Sequence, residues 1–362
     1  MRLKPTRGPD DTNGGMSRIL ATTAVLAVLV APAAARSSDA ATGPAKTPPN
    51  WAQPQIKLVV AHGLMAKSVQ SFRPNGVLTR GALSDLAASL DTTDVIPQRS
   101  ESSAPATMAD LDASLVNALG LHAAAVEFAA AAKAAGLKPP ARFGTEVVAR
   151  LLGLRTNHPA QLDSLELLPS QPATRAEAAY SAAQILSFRG WETESVTEAA
   201  DTFSLPSYSP WQKKILATAV QFIGYPYVWG GTSENAEAPF GVEAPGGFDC
   251  SGFVWRVYKL QTYADEGDLA STLKGRTTFA MSGEVGPAKR ISFARLKPAD
   301  VLFWGAHGPR SKPAEVDHTG IYLGNGWFIH SSGYGVALAQ LSDWYKQRFA
   351  WARRPLAEAG LS

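Results

Sequence analysis

The chain has 362 residues and a single cysteine, Cys250, and its C-terminal half carries three histidines, His307, His318 and His330. A thiol and an imidazole are the parts of a nucleophile–base pair. Cys250 stands in Gly246-Gly247-Phe248-Asp249-Cys250-Ser251-Gly252-Phe253, after glycines and at the head of an apolar-periodic run. Asp249 suits the N-cap of a helix that begins at Cys250 or Ser251. A thiol there meets unpaired N–H groups and the positive end of the helix, which favour the thiolate. The competing reading is a buried free cysteine acting as a small hydrophobe, the commonest fate of a lone one.

His318 opens the run His318-Thr319-Gly320-Ile321-Tyr322-Leu323, and His330 closes Trp327-Phe328-Ile329-His330. Both runs read as strands, and strand side chains alternate between faces, so the loop between them decides whether the rings meet. A two-residue Asn325-Gly326 turn pairs Ile321 with His330 and sets the histidines on opposite faces. A three-residue loop, Gly324 to Gly326, pairs Gly320 with His330 and sets both on one face, diagonal and about 7–8 Å apart. Gly326 can take the left-handed position such a loop needs, and three residues is the expectation. With the rings together, Cys250 attacks a carbonyl, His318 holds and returns the proton, and His330 orients His318. The oxyanion would face the N–H of Cys250, with the Tyr227 hydroxyl as a second donor. There is no HExxH and no cysteine pair, so no metal or other cofactor is called for.

The elements that must position these groups follow from periodicity. Ser209-Pro210 starts a helix with a buried stripe from Trp211 to Ile223, stopped at Gly224, and a second helix runs from Cys250 through Leu260. Apolar runs at 301–304, 319–323, 327–329 and 335–339 then read as strands. The order is helix, helix, small antiparallel sheet: an α+β arrangement over 211–362 with the cysteine helix packed on the sheet. Before it, residues 51–190 read as an all-α domain of helix–loop–helix repeats, and repeat units bury their faces against one another. The first unit has a Phe72-Arg73-Pro74-Asn75-Gly76 turn and a helix opening at Thr79-Arg80, and the last opens at Thr174-Arg175-Ala176-Glu177. That last stretch also has the form of a capping box. The middle unit, Asp110 to Leu137, is Ala-rich and irregular. Residues 191–210, polar and punctuated by prolines, read as a linker.

A net charge of +3 is too small to argue for nucleic acid. Residues 1–35 have a basic start, an apolar stretch from Ile19 to Val30 and an Ala-rich cleavage site ending at Ala35, the pattern of a signal peptide. The stretch is too short for a membrane span, which needs about 20 apolar residues. Residues 36–50 read as a flexible linker. The expectation is an exported chain with no span after signal removal, in which an unpaired thiol is an oxidation liability that chemistry would justify.

Two resemblances follow from these motifs. Tyr227-x-Trp229-Gly230-Gly231, Asp249-Cys250-Ser251-Gly252-Phe253, Leu296-Lys297-Pro298-Ala299-Asp300, His318 to Gly326 and Ile329-His330 occur in order, and together resemble the NlpC-type cysteine peptidase family over roughly 211–355. The resemblance implies a papain-like fold and a catalytic triad of Cys250, His318 and His330. It also implies Tyr227, Asp249 and Ser251 around the substrate, and cleavage of peptidoglycan stem peptides between D-γ-glutamyl and a diamino acid. That family usually has Pro-Gly-Asp where this chain has Pro298-Ala299-Asp300, and 232–245 is longer than its norm. Residues 51–190 resemble S-layer homology repeats, which implies attachment to a secondary cell-wall polymer, with Arg80 and Arg175 as candidate contacts through bidentate recognition of an anionic group. The combined reading is a secreted, wall-associated peptidoglycan hydrolase. An amidase or acyltransferase on another amide or ester, and a non-catalytic wall-anchored scaffold, are the alternatives.

Overall fold

A computed structural model describes residues 50–93 and 101–361. The expected signal peptide 1–35 and all but the last residue of the linker 36–50 lie outside the described residues. The chain divides into Met1–Trp51 and Ala52–Ser362, and all that follows concerns the second unit.

Its helical part begins with α1 (Gln53–Ala61) and α2 (Arg80–Leu90), continues through α3 (Met108–Ala118), α4 (His122–Ala134) and α5 (Phe143–Leu151), and reaches α6 (Arg175–Leu186) and α7 (Trp191–Thr202). Three of these start alike. Thr79, Thr107 and Thr174 are extended N-caps whose hydroxyls accept from the amides of Ala82, Asp110 and Glu177. The residues just before them close a ring of three hydrogen bonds: Leu78 N–H to Ala173 O (2.8 Å), Ala173 N–H to Ala106 O (2.8 Å) and Ala106 N–H to Leu78 O (2.9 Å). All three side chains are fully buried. Each unit therefore presents one extended residue to a shared centre and then turns into a capped helix. Outer helices pack on a neighbour's inner helix, α1 on α6 and α5 on α3. Thr174 caps as expected, but Glu177 does not return the bond; its carboxylate turns inward toward His158 and Arg155. Reciprocal capping boxes do form at Thr107/Asp110 and Ser209/Gln212.

The segment 191–210, expected as a linker, carries α7, which packs on α4. Phe203 follows it and meets Phe128 of α4 and Trp327 at ring-centroid distances of 4.9 and 5.0 Å. This aromatic trio ties the helices to the sheet.

The C-terminal part starts with α8 (Pro210–Ala219), capped by Ser209 with Pro210 in its first turn. Two short paired strands, β1 (Thr232–Ser233) and β2 (Gly247–Phe248), lead to α9 (Cys250–Trp255), which continues as a wider π-turn to Leu260. The sheet is formed by β3 (Val301–Gly305), β4 (Val316–Gly324), β5 (Trp327–Ser332), β6 (Gly335–Gln340) and β7 (Phe349–Arg353), antiparallel in the order β6-β5-β4-β3-β7. α9 packs on β4 and β5. The fold is α+β, as expected.

The β4–β5 connection differs from the three-residue loop. It is a two-residue turn, Asn325 (φ 49°) and Gly326 (φ 82°), with Gly324 opposite Trp327. Both turn residues have positive φ, the geometry whose twist matches a hairpin. Between Tyr322 and Gly324 the register shifts by one residue, a β-bulge at Leu323, so Tyr322 pairs with Phe328 and Ile321 with Ile329. Continuing that register sets Gly320 opposite His330, and a Cβ on Gly320 would stand 3.0 Å from that of His330. The bulge restores the parity that the turn alone would have broken.

Ala299, where the resembling family has glycine, lies in the left-handed region at φ 69°. Its amide donates to Tyr322 O, and its carbonyl accepts from the Tyr258 hydroxyl, so the turn cannot relax. Ala299→Gly is expected to raise the unfolding free energy by about 1 kcal/mol, seen as a higher denaturant midpoint at unchanged slope.

Candidate active site

Cys250 is the first residue of α9 and is 8% exposed. The start of the helix is fixed by Asp249. Its Oδ1 accepts from the Gly252 amide (2.5 Å) and the Ser251 hydroxyl (3.0 Å), and its Oδ2 from the Gly230 amide (3.0 Å). Arg276 closes the arrangement. It donates to both Asp249 oxygens (3.1 and 3.2 Å), to Ser251 Oγ (2.7 Å) and to the carbonyls of Gly230 (3.0 Å) and Gly231 (3.1 Å). The glycine loop thus lies directly on the helix, and a Cβ on Gly252 would stand 1.9 Å from Gly231 O. Asp249 and Ser251, expected beside the substrate, are engaged in bracing the nucleophile segment. Arg276 carries no local pattern that would single it out in the sequence.

Tyr227 is half-buried, on the stretch that runs beside β2: Phe248 N–H donates to Pro226 O (3.2 Å) and Val228 N–H to Phe248 O (3.3 Å). From the sheet side, Ser331 Oγ donates to Phe248 O (2.6 Å), fastening β5 to the residues ahead of the cysteine.

His318 and His330 come together as the register requires, with His318 Nε2 2.7 Å from His330 Nδ1 and the rings nearly perpendicular at 80°. Trp304, Phe328 and Tyr345 enclose the pair, and the Trp304 indole N–H holds the Tyr345 backbone carbonyl at 2.8 Å. The Cys250 sulfur receives the backbone N–H of Thr319, one residue along β4 from His318. Since His330 occupies Nε2 of His318, Nδ1 is the nitrogen left for a proton from the thiol. Base action at Nδ1 requires the Nε2 proton to point at His330 Nδ1, which fixes both tautomers.

The electrostatics depart from the thiolate expectation. Burial pushes the Cys250 thiol up to about 12, and the adjacent Asp249 carboxylate adds to the rise, against weaker opposition from the amides of Thr319 and Ser251 and from Arg276. Burial, then the Arg348 guanidinium, lowers His318 to about 4, and burial with His318 beside it holds His330 well below the usual imidazole range. The resting pair is neutral, so the proton has to leave sulfur during attack, with His318 as general base.

The wall-binding candidates lie apart. Arg80 pairs with Asp110 at 3.0 Å on the surface. Arg175 donates to Phe72 O (2.8 Å) and Met65 O (2.6 Å), sits over the Phe72 ring and lines a cavity of about 630 Å³ with Leu64, Lys67 and Asp85. The long segment 232–245 is pinned by Glu237, which accepts from the amides of Thr232 (2.7 Å) and Ser233 (3.2 Å), and by the Glu234–Arg256 pair at 2.7 Å. Its tip residue Phe240 is 84% exposed and covers Gly230.

The NlpC/P60 family model matches residues 224–354, a span that contains the glycine loop, α9 and the whole sheet. Residues 224–354 are an NlpC/P60 domain. The S-layer homology domain model matches residues 45–83, which include α1 and the start of α2. The probable peptidoglycan endopeptidase LytE of Bacillus subtilis (strain 168) is 34% identical over 142 residues, covering 39% of this chain and 34% of that protein. The murein DD-endopeptidase MepH of Escherichia coli (strain K12) is 36% identical over 138 residues, covering 37% and 42%. A crystal structure of the NlpC/p60 domain of the peptidoglycan hydrolase SagA is 30% identical, covers 39% of this chain and 97% of that one, and has a TM-score of 0.28. The chain spans between 21% and 42% of the length of the first curated relatives.

Alkylation of Cys250 by iodoacetamide tests its ionisation. With a neutral thiol and a neutral imidazole at rest, the rate is expected to rise about tenfold per pH unit from roughly pH 7 to pH 10. A plateau reached below neutrality would instead reveal a thiolate–imidazolium pair.

Proposed function

We propose that this protein is a secreted, wall-associated cysteine endopeptidase that cuts peptidoglycan stem peptides, with the D-γ-glutamyl–diamino acid bond as its target. The observation that carries the reading is the His318–His330 contact on the strand whose Thr319 amide meets the Cys250 sulfur. The NlpC/P60 match, and relatives named as peptidoglycan endopeptidases, support the substrate class.

In this mechanism the Cys250 sulfur attacks the peptide carbonyl as His318 Nδ1 takes the thiol proton. His330 accepts the Nε2 proton of His318 in a hydrogen bond and so holds the ring while it carries positive charge. The oxyanion is received by the Cys250 N–H at the free start of α9 and by the Tyr227 hydroxyl. His318 then returns the proton to the leaving amine as the C–N bond breaks. Water, deprotonated by the same ring, hydrolyses the thioester and frees Cys250. The repeat region holds the enzyme on a secondary wall polymer, with Arg80, exposed beside Asp110, in reach of it and Arg175 committed largely to the Met65 and Phe72 carbonyls of the first unit.

Purified peptidoglycan incubated with the protein, followed by mass spectrometry of released peptides, tests the first part. Cys250→Ala is expected to abolish release, and His318→Ala to lower it by about 10²–10⁴-fold. His330→Asn, which can still orient the ring, is expected to keep a measurable fraction. Release undiminished by Cys250→Ala would overturn the reading. For the second part, sedimentation with cell walls is expected to drop when the walls are stripped of secondary polymer. Arg80→Ala is expected to weaken that binding without changing the unfolding midpoint.

A further inference from the structure

Residues 157–163 of the helical part touch both limbs of the candidate site. Asp163, 3% exposed on the short 3₁₀ turn Ala160–Leu165, accepts the backbone N–H of Trp229 at its Oδ2 (3.1 Å). Trp229 is the residue before Gly230, whose own amide goes to Asp249, the cap of the Cys250 helix. On the other limb, Asn157 N–H donates to Gly333 O (3.0 Å) in the turn that follows the His330 strand. The turn carrying Asp163 is itself held: the Glu166 carboxylate accepts the His158 amide (2.5 Å) and lies 3.0 Å from His158 Nδ1, and Glu166 N–H returns to Asp163 O (3.1 Å). The approach to the loop is guided by the same helical part. Arg142 donates to Gln221 O (2.7 Å) and Ile223 O (3.2 Å), and Arg150 to Gly224 O (2.7 Å).

We propose that Asp163 is a positioning residue for the peptidase site: its carboxylate fixes the Trp229–Gly231 loop, and the helical region thereby completes the substrate side of the cleft. The proposal rests on the peptidase reading for its kinetic consequence, though not for its structural one. The loop hangs between two carboxylates, Asp163 at Trp229 and Asp249 at Gly230. Removing the first frees the Trp229 amide, and the exposed Trp229 ring then loses its fixed place, while Arg276 still holds Gly230 and Gly231 and the bonds to Phe248 still hold the residues on either side of Tyr227. The thiol and the histidine pair are held by other contacts and keep their geometry. The loss therefore falls on substrate binding more than on the chemical step.

The test compares full-length wild type, Asp163→Ala and Asp163→Asn, the last keeping an oxygen acceptor at the same reach. Hydrogen exchange at the amides of residues 227–231 is read first. Asp163→Ala is expected to speed exchange at Trp229 by about tenfold or more, and Asp163→Asn to restore most of the protection. In hydrolysis of a stem-peptide substrate, Asp163→Ala is expected to raise KM by roughly five- to tenfold with kcat changed less than about threefold, again recovered by Asn. The Cys250 alkylation rate is expected to stay at the wild-type value. Unchanged exchange and KM in Asp163→Ala would overturn the proposal, and so would an Asn variant as impaired as Ala. Should Asp163→Ala not fold, Asp163→Glu, whose longer arm displaces the acceptor, is expected to speed exchange in its place, and failure to do so would overturn it equally. If the wild-type chain releases no peptide, the peptidase reading falls, and the exchange comparison still decides whether Asp163 holds the loop.

Discussion

The carboxylate of Asp249 accepts from amides on two separate segments, Gly252 in α9 and Gly230 in the glycine loop, and draws Arg276 against both. A carboxylate so little exposed needs partners for its lone pairs, and this one has them all, so the network is rigid. The nucleophile inherits that rigidity, because Cys250 is the next residue. The arrangement also explains the glycine after Cys250-Ser251: any side chain at Gly252 would push the loop carbonyls away from Arg276 and open the knot.

Around this point two kinds of packing meet. The helical part is closed on itself by backbone hydrogen bonds at Leu78, Ala106 and Ala173, with Leu78 fully buried at that centre. The sheet part is closed by aromatic stacking around Trp304 and Phe328. Phe128, Phe203 and Trp327 belong to neither alone; they join the two across apolar surface that would otherwise be wet. Polar reach-overs from Arg142, Arg150, Asn157 and Asp163 then end on backbone atoms of the sheet part. Backbone groups stay put when side chains change, so contacts of this kind fix position more than they select sequence.

Much of this was legible beforehand. Asp249 before a glycine-flanked cysteine marks a capped helix start, and four of the five main strands stand out as short apolar runs. β7 does not stand out in this way. The polar α7 reads as linker because its buried face is only Val196 and Ala200, too thin a stripe to register as periodic. The thiolate expectation weighed the helix end alone; the sequence does not show how deeply α9 is pressed onto β4, and that burial reverses the balance. Arg276 and Asp163 act through long-range contacts with backbone, which leave no local trace in composition or spacing. The loop length failed for a related reason: Leu323 looks like any strand residue, and its extra place in the ladder is a property of the paired strand, not of the residue.

That bulge means the two histidines meet because β4 carries one residue more than β5 between the turn and the pair. A ladder that took Leu323 as an ordinary paired residue would keep every aromatic and every charged group in the chain, yet it would set Ile321 opposite His330 and turn that ring to the far layer of the sheet. Deleting the bulged residue itself would leave Tyr322 opposite Phe328 and the histidines in register. The site therefore tolerates loss of the extra residue better than loss of the bulge.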